Sequence, residues 1–501
     1  SITAYTRYDD AGRQKEAGAY FPNSYGSNNE FYRVFSYTDD KLTMAREYRN
    51  SNYYIFNNYA YDGEGNLTNI AYGNRSYAND ETHSISYDDE GRILSETYTG
   101  YYNYTTSSTQ KDYTYDWLGR LIKEVVNGVT TEYTYDEVGN LLTKKVGDEV
   151  TTYTYNDKDQ LEQITTGIVI ENQYTYDISG NRLTDTSYGH TTSYVYDGQN
   201  NLTTINGSQT TYTTCTYDAN GERLMRYNQT HYYYYYYDGV NLLFVKKDNA
   251  IDMRYLYDNE GNVYCAIASD NLPYWHHTDI RGSVTNVLKG DSGTSSSPTL
   301  IRSYLYNAYG DTNYTTFSGG ETFNVNPYLA YTGAILDQET GLYYLMSRYY
   351  DPKAGSFISQ DSYKGEGDAF WHLYAYCDGD PVNKTDRNGR YGLWYPGYNK
   401  IKKYAKKGVG AANSFAYHKR NYSRANCLGF ACGININVDV KTLKNTYRKK
   451  HGKSMDGYEY NVEIWFKATV AYLAGKKIWV RRLSYYTDPI FPNERRIALR
   501  C

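Results

Sequence analysis

The sequence predicts an all-β protein, a wide sheet of repeated hairpins followed by a small C-terminal α+β domain. Three observations predict it. A Tyr-Asp or Tyr-Asn step recurs at Tyr115, Tyr135, Tyr155, Tyr176, Tyr196, Tyr217, Tyr237 and Tyr257, always 20 or 21 residues apart. A period this regular marks a repeat architecture. The residues around each step alternate and are rich in Thr and Tyr, as in "TEYTYD" at 131–136, which suits a half-buried strand. Finally, 67 Tyr stand against only 13 Phe and 6 Trp. Tyr has an apolar body and a polar tip, which fits a thin sheet with water on one face and an enclosed volume on the other. A Tyr-rich solenoid that encloses nothing would share this composition.

One copy, "YTYDEVGNLLTKK" at 133–145, shows how each unit is built. Asp136 ends the first strand, and its carboxylate can accept from backbone amides further along, closing an Asx-turn. Gly139 can take positive φ without steric cost, and Asn140 tolerates it better than most residues. "LLTKKV" is the return strand, so each unit is one hairpin. A lone hairpin is marginal in water. Many joined side by side bury a continuous face. Looser copies stand at Tyr8, Tyr61, Tyr87, Tyr306 and Tyr350.

The rest of the composition narrows the class. No apolar run approaches the ~18 residues of a membrane span, and no charged-then-apolar start marks a secretory signal. The chain opens inside a repeat, with "RYDDAGRQ" at 7–14, and is read as a fragment of a longer protein. Six scattered Cys lack the spacing of a disulfide framework.

The text changes near residue 330. "DQETGLYYLMSRYYDPKAGSF" occupies 337–357. This stretch resembles the core-associated segment of RHS/YD-repeat proteins, and the preceding copies resemble their YD repeats. Together they cover about 390 of the 501 residues. The resemblance implies three parts: a YD-repeat β shell over 1–330, a core segment over 331–390 that closes the spiral shell, and a variable C-terminal effector over 391–501. In the family the shell encapsulates that last part, usually a toxin. The implied setting is secreted or cell-surface, with secretion machinery and an immunity protein as partners. The family's core segment ends in D-P-x-G-L, after which many members cut themselves with acidic residues. The matching acids are Asp361, in "SQD", and Asp386, in "TDRNGR", with the cut expected near Arg390–Tyr391. Two close carboxyls suit peptide hydrolysis because they share a proton, one acting as base on water and the other as acid. The motif departs from the family. Arg387 and Arg390 replace the usual Pro and Leu, Ser362 the Pro of S-x-D-P, Ser356 a common Arg, and Asp380 an Asn before Pro381. The plainer reading makes Asp361 and Asp386 turn residues. "WHHTDIRGSVTNV" at 275–287 resembles the H-x-D-x-x-G-S stretch of these shells, and His276 and His277 are expected to be structural.

Beyond 390 the charge reverses. Residues 391–501 carry 22 Lys+Arg and 6 Asp+Glu, a net of +16, against −21 for residues 1–390. An acidic wall around a basic cargo is electrostatically favourable, and a basic domain also admits a nucleic-acid partner. "VKTLKNTYRKKHGKS" at 440–454 spaces apolar residues for a short helix, and "YNVEIWFKATVAYLAGKKIW" at 460–479 is read as a second. "ERRIALR" at 494–500 reads as a strand. In "RANCLGFACG", Asn426 is a good N-cap, so Cys427 would open a helix where the amide dipoles favour thiolate. This stretch resembles the N-C-x-x-x-A signature of small papain-like toxin domains, which makes Cys427 the candidate nucleophile; a buried structural Cys is the plainer alternative. Such a nucleophile needs a His base. His451 follows the Cys but lies in a solvated basic stretch, and His418 precedes it and would serve only in a permuted order, so the effector is expected to be incomplete. Cys427 and Cys432 complete no four-ligand cluster, so no metal is expected, and no cofactor. Three functions stay open: an encapsulated cysteine peptidase, an encapsulated basic nuclease, and a structural cell-surface repeat protein.

Overall fold

The computed structural model describes residues 3–390 apart from 23–27, 50–51, 75–80, 103–104, 208–211, 259–260, 291–297, 317–327 and 362–371. Beyond 390 it describes the strands Leu393–Trp394, Tyr460–Val462, Phe466–Val470, Lys476–Val480, Arg482–Thr487 and Arg495–Arg500. Two compact units emerge. One holds 1–63, 67–362 and 372–390; the other holds 64–66, 363–371 and 391–501.

The first unit contains a 28-stranded sheet running from Thr3–Tyr8 to Thr312–Thr316. Each strand pairs antiparallel with the next in sequence. The turn chemistry explains why. Asp136 Oδ1 accepts from the backbone N–H of Val138, Gly139 and Asn140 at 3.0, 2.8 and 2.8 Å. The Asn140 side chain donates back to Asp136 Oδ2 at 2.7 Å. Gly139 sits at φ 103°, which a residue with a Cβ avoids. A register shift just before Tyr135 then pairs Tyr135 with Leu141 and turns the Tyr ring toward the preceding repeat.

That ring is why the position is Tyr and not Phe. The hydroxyl of Tyr135 donates to Leu121 O at 2.7 Å, that of Tyr155 to Leu141 O at 3.0 Å, and that of Tyr176 to Leu161 O at 2.9 Å. Tyr115, Tyr217 and Tyr257 make the same bond to Ile93, Leu202 and Leu242. Tyr196 and Tyr237 are exceptions whose hydroxyls are buried without a partner. Two residues earlier, Tyr133, Tyr153, Tyr174 and Tyr194 are buried, as are Leu121, Leu141, Leu161 and Leu202 at the return-strand starts. Burying each such apolar side chain contributes about 1.5–3 kcal/mol.

The sheet comes back on itself. Tyr72 donates to Thr278 O at 2.7 Å, Arg281 meets Glu96 at 3.0 Å, and Lys111 donates to Tyr306 O at 2.8 Å. Arg33 pairs with Glu47 at 3.1 Å and with Asp258 at 3.4 Å. Apart from Arg33–Glu47, which pairs neighbouring strands, these contacts join residues roughly 200 positions apart, so one circuit takes about ten repeats of ~20 residues. Val263–Ala268, Pro273–Thr278 and Val284–Lys289 are therefore buried on both faces. His276 and His277 lie there. His276 Nδ1 is 2.8 Å from Tyr274 O, and burial pushes its pKa down to about 4. His277 Nδ1 meets Glu81 at 2.6 Å.

Residues 328–361 and 372–390 complete the described part of this unit. They form a small sheet of Ile335–Asp337, Leu342–Leu345, Arg348–Asp351 and Ser356–Phe357. Buried guanidinium groups of the wall hold it. Arg223 forks onto Asp337 at 2.5 and 3.0 Å, Arg182 meets Asp351 at 2.7 Å, and Arg226 meets Glu339. Backbone groups at the wall's turns and strand starts bond it too: Ile93 N–H to Asn383 Oδ1 at 2.7 Å, Arg182 N–H to Ile358 O at 2.9 Å, and Gly180 O from Tyr374 at 2.7 Å.

The second unit corrects one expectation. The stretch 460–479, read as a helix, instead holds the strands Tyr460–Val462, Phe466–Val470 and, from Lys476, the strand Lys476–Val480. Gly475 and the β-branched Val462, Thr469, Val470 and Ile478 favour strands over a continuous helix. Phe466–Val470 pairs with Lys476–Val480, and Arg482–Thr487 lies between Tyr460–Val462 and Arg495–Arg500. The strand expected in "ERRIALR" is present. The helix expected over 440–454 lies outside the described residues.

Three outcomes test this architecture. Tyr155→Phe deletes one bond between repeats and should cost about 1 kcal/mol in urea unfolding. Arg223→Met leaves Asp337 buried without its main partner and should cost about 3–5 kcal/mol. Burial pushes Asp380 up to about 6. Its contribution is therefore full below its unfolded value of roughly 3.9 and is lost as pH rises through 6. Asp380→Asn should stabilise the protein more at pH 8 than at pH 5.

Candidate active site

The site begins with a tight turn between Leu342–Leu345 and Arg348–Asp351. Met346 takes φ 58°, and Ser347 N–H donates to Leu345 O at 2.7 Å. This turn presents Ser347 and Arg348 to the end of the closing segment. Arg348 Nη2 lies 3.1 Å from Asp361 Oδ2 and 3.6 Å from Asp386 Oδ2. The structure thus brings the two sequence-predicted acids to one nitrogen. Arg348 also donates from Nη1 to Leu373 O at 3.0 Å and from Nε to Gly389 O, and it stacks 3.6 Å above Phe357. Burial pushes its guanidinium below the usual range, and the two carboxylates oppose that shift.

Asp361 is fixed through its backbone, whose N–H donates to Leu373 O at 2.9 Å. Asp386 is 1 % exposed, and its Oδ1 accepts from Arg390 N–H at 3.2 Å. It is therefore a turn acceptor and a member of the acid pair at once. The Ser347 hydroxyl lies 2.7 Å from Asn388 O and 2.9 Å from Gly389 O. Gly389 has φ 68°, and a Cβ there would stand 2.5 Å from Leu345 O. Only Gly fits. Arg387, in place of the family's Pro, spans to the wall, donating to Gly261 O at 2.8 Å and Asn262 Oδ1 at 2.5 Å.

Chemically, the site offers two acids, a buried cation between them, and a backbone carbonyl held by a cation and a hydroxyl. These are the parts of acid–base peptide hydrolysis with electrostatic support for a developing oxyanion. Sequence reasoning missed Arg348 and Ser347. The available signal was "SRYYD", a charge inside a strand otherwise suited to burial. Cys427, with Cys432, His418 and His451, lies outside the described residues. Among the described residues, no cluster of three or more His, Cys, Asp and Glu could hold a metal ion, and no helix is long and apolar enough to cross a membrane.

Comparison with known proteins bears on the wall. A curated relative, the tRNA3(Ser)-specific nuclease WapA of Bacillus spizizenii, is 34% identical over 149 residues, 29% of this chain and 6% of the relative. The tRNA nuclease WapA of Bacillus subtilis is 32% identical over 149 residues, again 6% of its length. The chain therefore spans only a small part of these relatives. A putative uncharacterized protein YlbH of Escherichia coli is 49% identical over 57 residues, 11% of this chain and 23% of that one. Among solved structures, TcdB2-TccC3 aligns over 77% of this chain and 24% of its own, at 16% identity and a TM-score of 0.40. The teneurin YD-shell profile matches residues 77–382, more than half of the chain. The repeated Tyr-Asp turns, the returning sheet and this match together establish that the chain belongs to the teneurin YD-shell family.

Proposed function

We propose that this chain is part of an encapsulated toxin, in which the YD wall and core segment, 1–390, enclose a basic cargo, 391–501, and release it by cutting themselves beside Asp386. The observation that carries this reading is the convergence of Asp361 and Asp386 on Arg348, just before the net charge changes from −21 to +16. A wall alone needs no acid pair at that boundary. Arg348 favours keeping one carboxyl ionised beside its neighbour, so one acid activates water while the other holds a proton.

For the cargo, the charge favours a nuclease. A surplus of 16 positive charges suits a phosphate backbone, and the two Bacillus relatives are named as tRNA nucleases. A cysteine peptidase remains the second reading, resting on Asn426, Cys427 and Ala431, and it lacks an evident His partner. The wall fits secretion or display at the cell surface, with an immunity protein and a secretion apparatus as partners.

Purified chain should split into a wall and a tail of about 110 residues, the size of a small domain. Asp386→Asn and Asp361→Asn should each slow the split by roughly a hundredfold or more. A chain that stays whole for days at several pH values would contradict the self-cleavage reading. The freed tail should bind RNA with an affinity that falls steeply with added salt. Salt-independent binding, or none, would contradict the nuclease reading, and filter binding across a salt series measures it.

A further inference from the structure

We propose that the bond cut in this chain is Gly389–Arg390, one residue earlier than the motif alone predicts. The inference rests on the self-cleavage reading and adds the identity of the scissile bond and the role of Ser347.

The geometry selects that peptide at both of its atoms. The carbonyl oxygen of Gly389 accepts from Arg348 Nε and faces the Ser347 hydroxyl at 2.9 Å. A cation and a hydroxyl aimed at one carbonyl oxygen stabilise the negative charge it gains when water adds. The nitrogen on the other side of the bond, Arg390 N, donates its hydrogen to Asp386 Oδ1 at 3.2 Å and to Asn388 Oδ1 at 3.1 Å, so Asp386 already stands beside it. An acid beside the leaving nitrogen is what breaking a C–N bond requires, because an unprotonated amide is a poor leaving group. Asp361 meets the same guanidinium and is the remaining base.

The peptide cannot easily turn away. Gly389 is locked at φ 68°, with Leu345 O, Ser347 Oγ and Arg348 N all within 3.0 Å of where a Cβ would stand. Arg387 pins the preceding residues to Gly261 and Asn262 of the wall. Its fork takes over the positioning that a fixed proline φ would supply. The departure from the family motif therefore comes with its own anchor.

The step balances. The acid pair enters with one proton. The oxygen of water bonds to the Gly389 carbonyl carbon, and Asp361 takes the water proton. The carbon–nitrogen electron pair passes to Arg390 N, which takes the proton held by Asp386. Gly389 leaves as a carboxyl group and Arg390 as an amine, and the pair again holds one proton. The Ser347 hydroxyl carries a single hydrogen, shared in the resting state between Asn388 O and Gly389 O. Charge on the Gly389 oxygen draws it there.

Intact-mass analysis and N-terminal sequencing of the tail released from the full chain test the bond. A tail beginning Arg-Tyr-Gly supports the inference. A tail one arginine lighter, beginning Tyr-Gly-Leu, overturns it while the self-cleavage reading stands. An uncut chain overturns both. Ser347→Ala should slow the cut roughly a hundredfold at the same bond, and Ser347→Thr, which keeps the hydroxyl, should restore most of the rate. Ser347→Ala cutting at the parental rate overturns the role given to the hydroxyl.

Discussion

The hydrogen bond from the Tyr hydroxyl of six of the eight regular repeats to the carbonyl that opens the previous return strand underlies the rest of the wall. A single hairpin has too little buried area to stand alone. Ladder bonds join strands only edge to edge. The Tyr bond reaches across a hairpin, as from Tyr155 to Leu141 and from Tyr176 to Leu161, and fixes each turn relative to its neighbour. The turns consequently form an ordered rim. Asn140 shows this continuity, since its amide bonds both its own Asp136 and Asp159 of the next turn.

The core segment is built against that rim. Many of its wall contacts fall in turns, at Gly180 and Asn262, or at the strand starts beside them, at Ile93, Arg182 and Arg223. Three of its acidic side chains are met by buried wall arginines. Burying an ion pair adds little net stability, yet losing one partner is costly. Such pairs reject wrong seatings more than they add strength. Their positions matter for chemistry, because the strand that carries Asp351 onto Arg182 also carries Arg348 onto Asp361 and Asp386. The fold's lock and the candidate catalytic cation share one strand.

Much of the wall was legible in the sequence. Its period, the Asx-turn at Asp136 and the positive φ at Gly139 are local, and local chemistry shows in local text. The return of the sheet was not legible from the residues. It depends on meetings such as Tyr72 with Thr278, which no window spans. The preference for Tyr over Phe could be noticed but not explained without the acceptor carbonyl. Asp361 and Asp386 were reached through family resemblance, and the turn-residue alternative is compatible with it, since Asp386 both accepts from the turn N–H of Arg390 and lies beside Arg348. Arg348 was missed because a lone arginine between serine and tyrosine has no spacing signature. The stretch 460–479 was misread because its apolar residues recur densely enough to satisfy either period, and strand pairing decided between them.

Containment is the central claim, and protease access measures it most directly. The tail carries 22 Lys+Arg, each a trypsin target. If the wall encloses it, trypsin should leave the tail whole in the native chain and digest it once Arg223→Met or urea opens the wall. A tail degraded in the native chain as fast as in urea, with the wall still folded, would contradict the account.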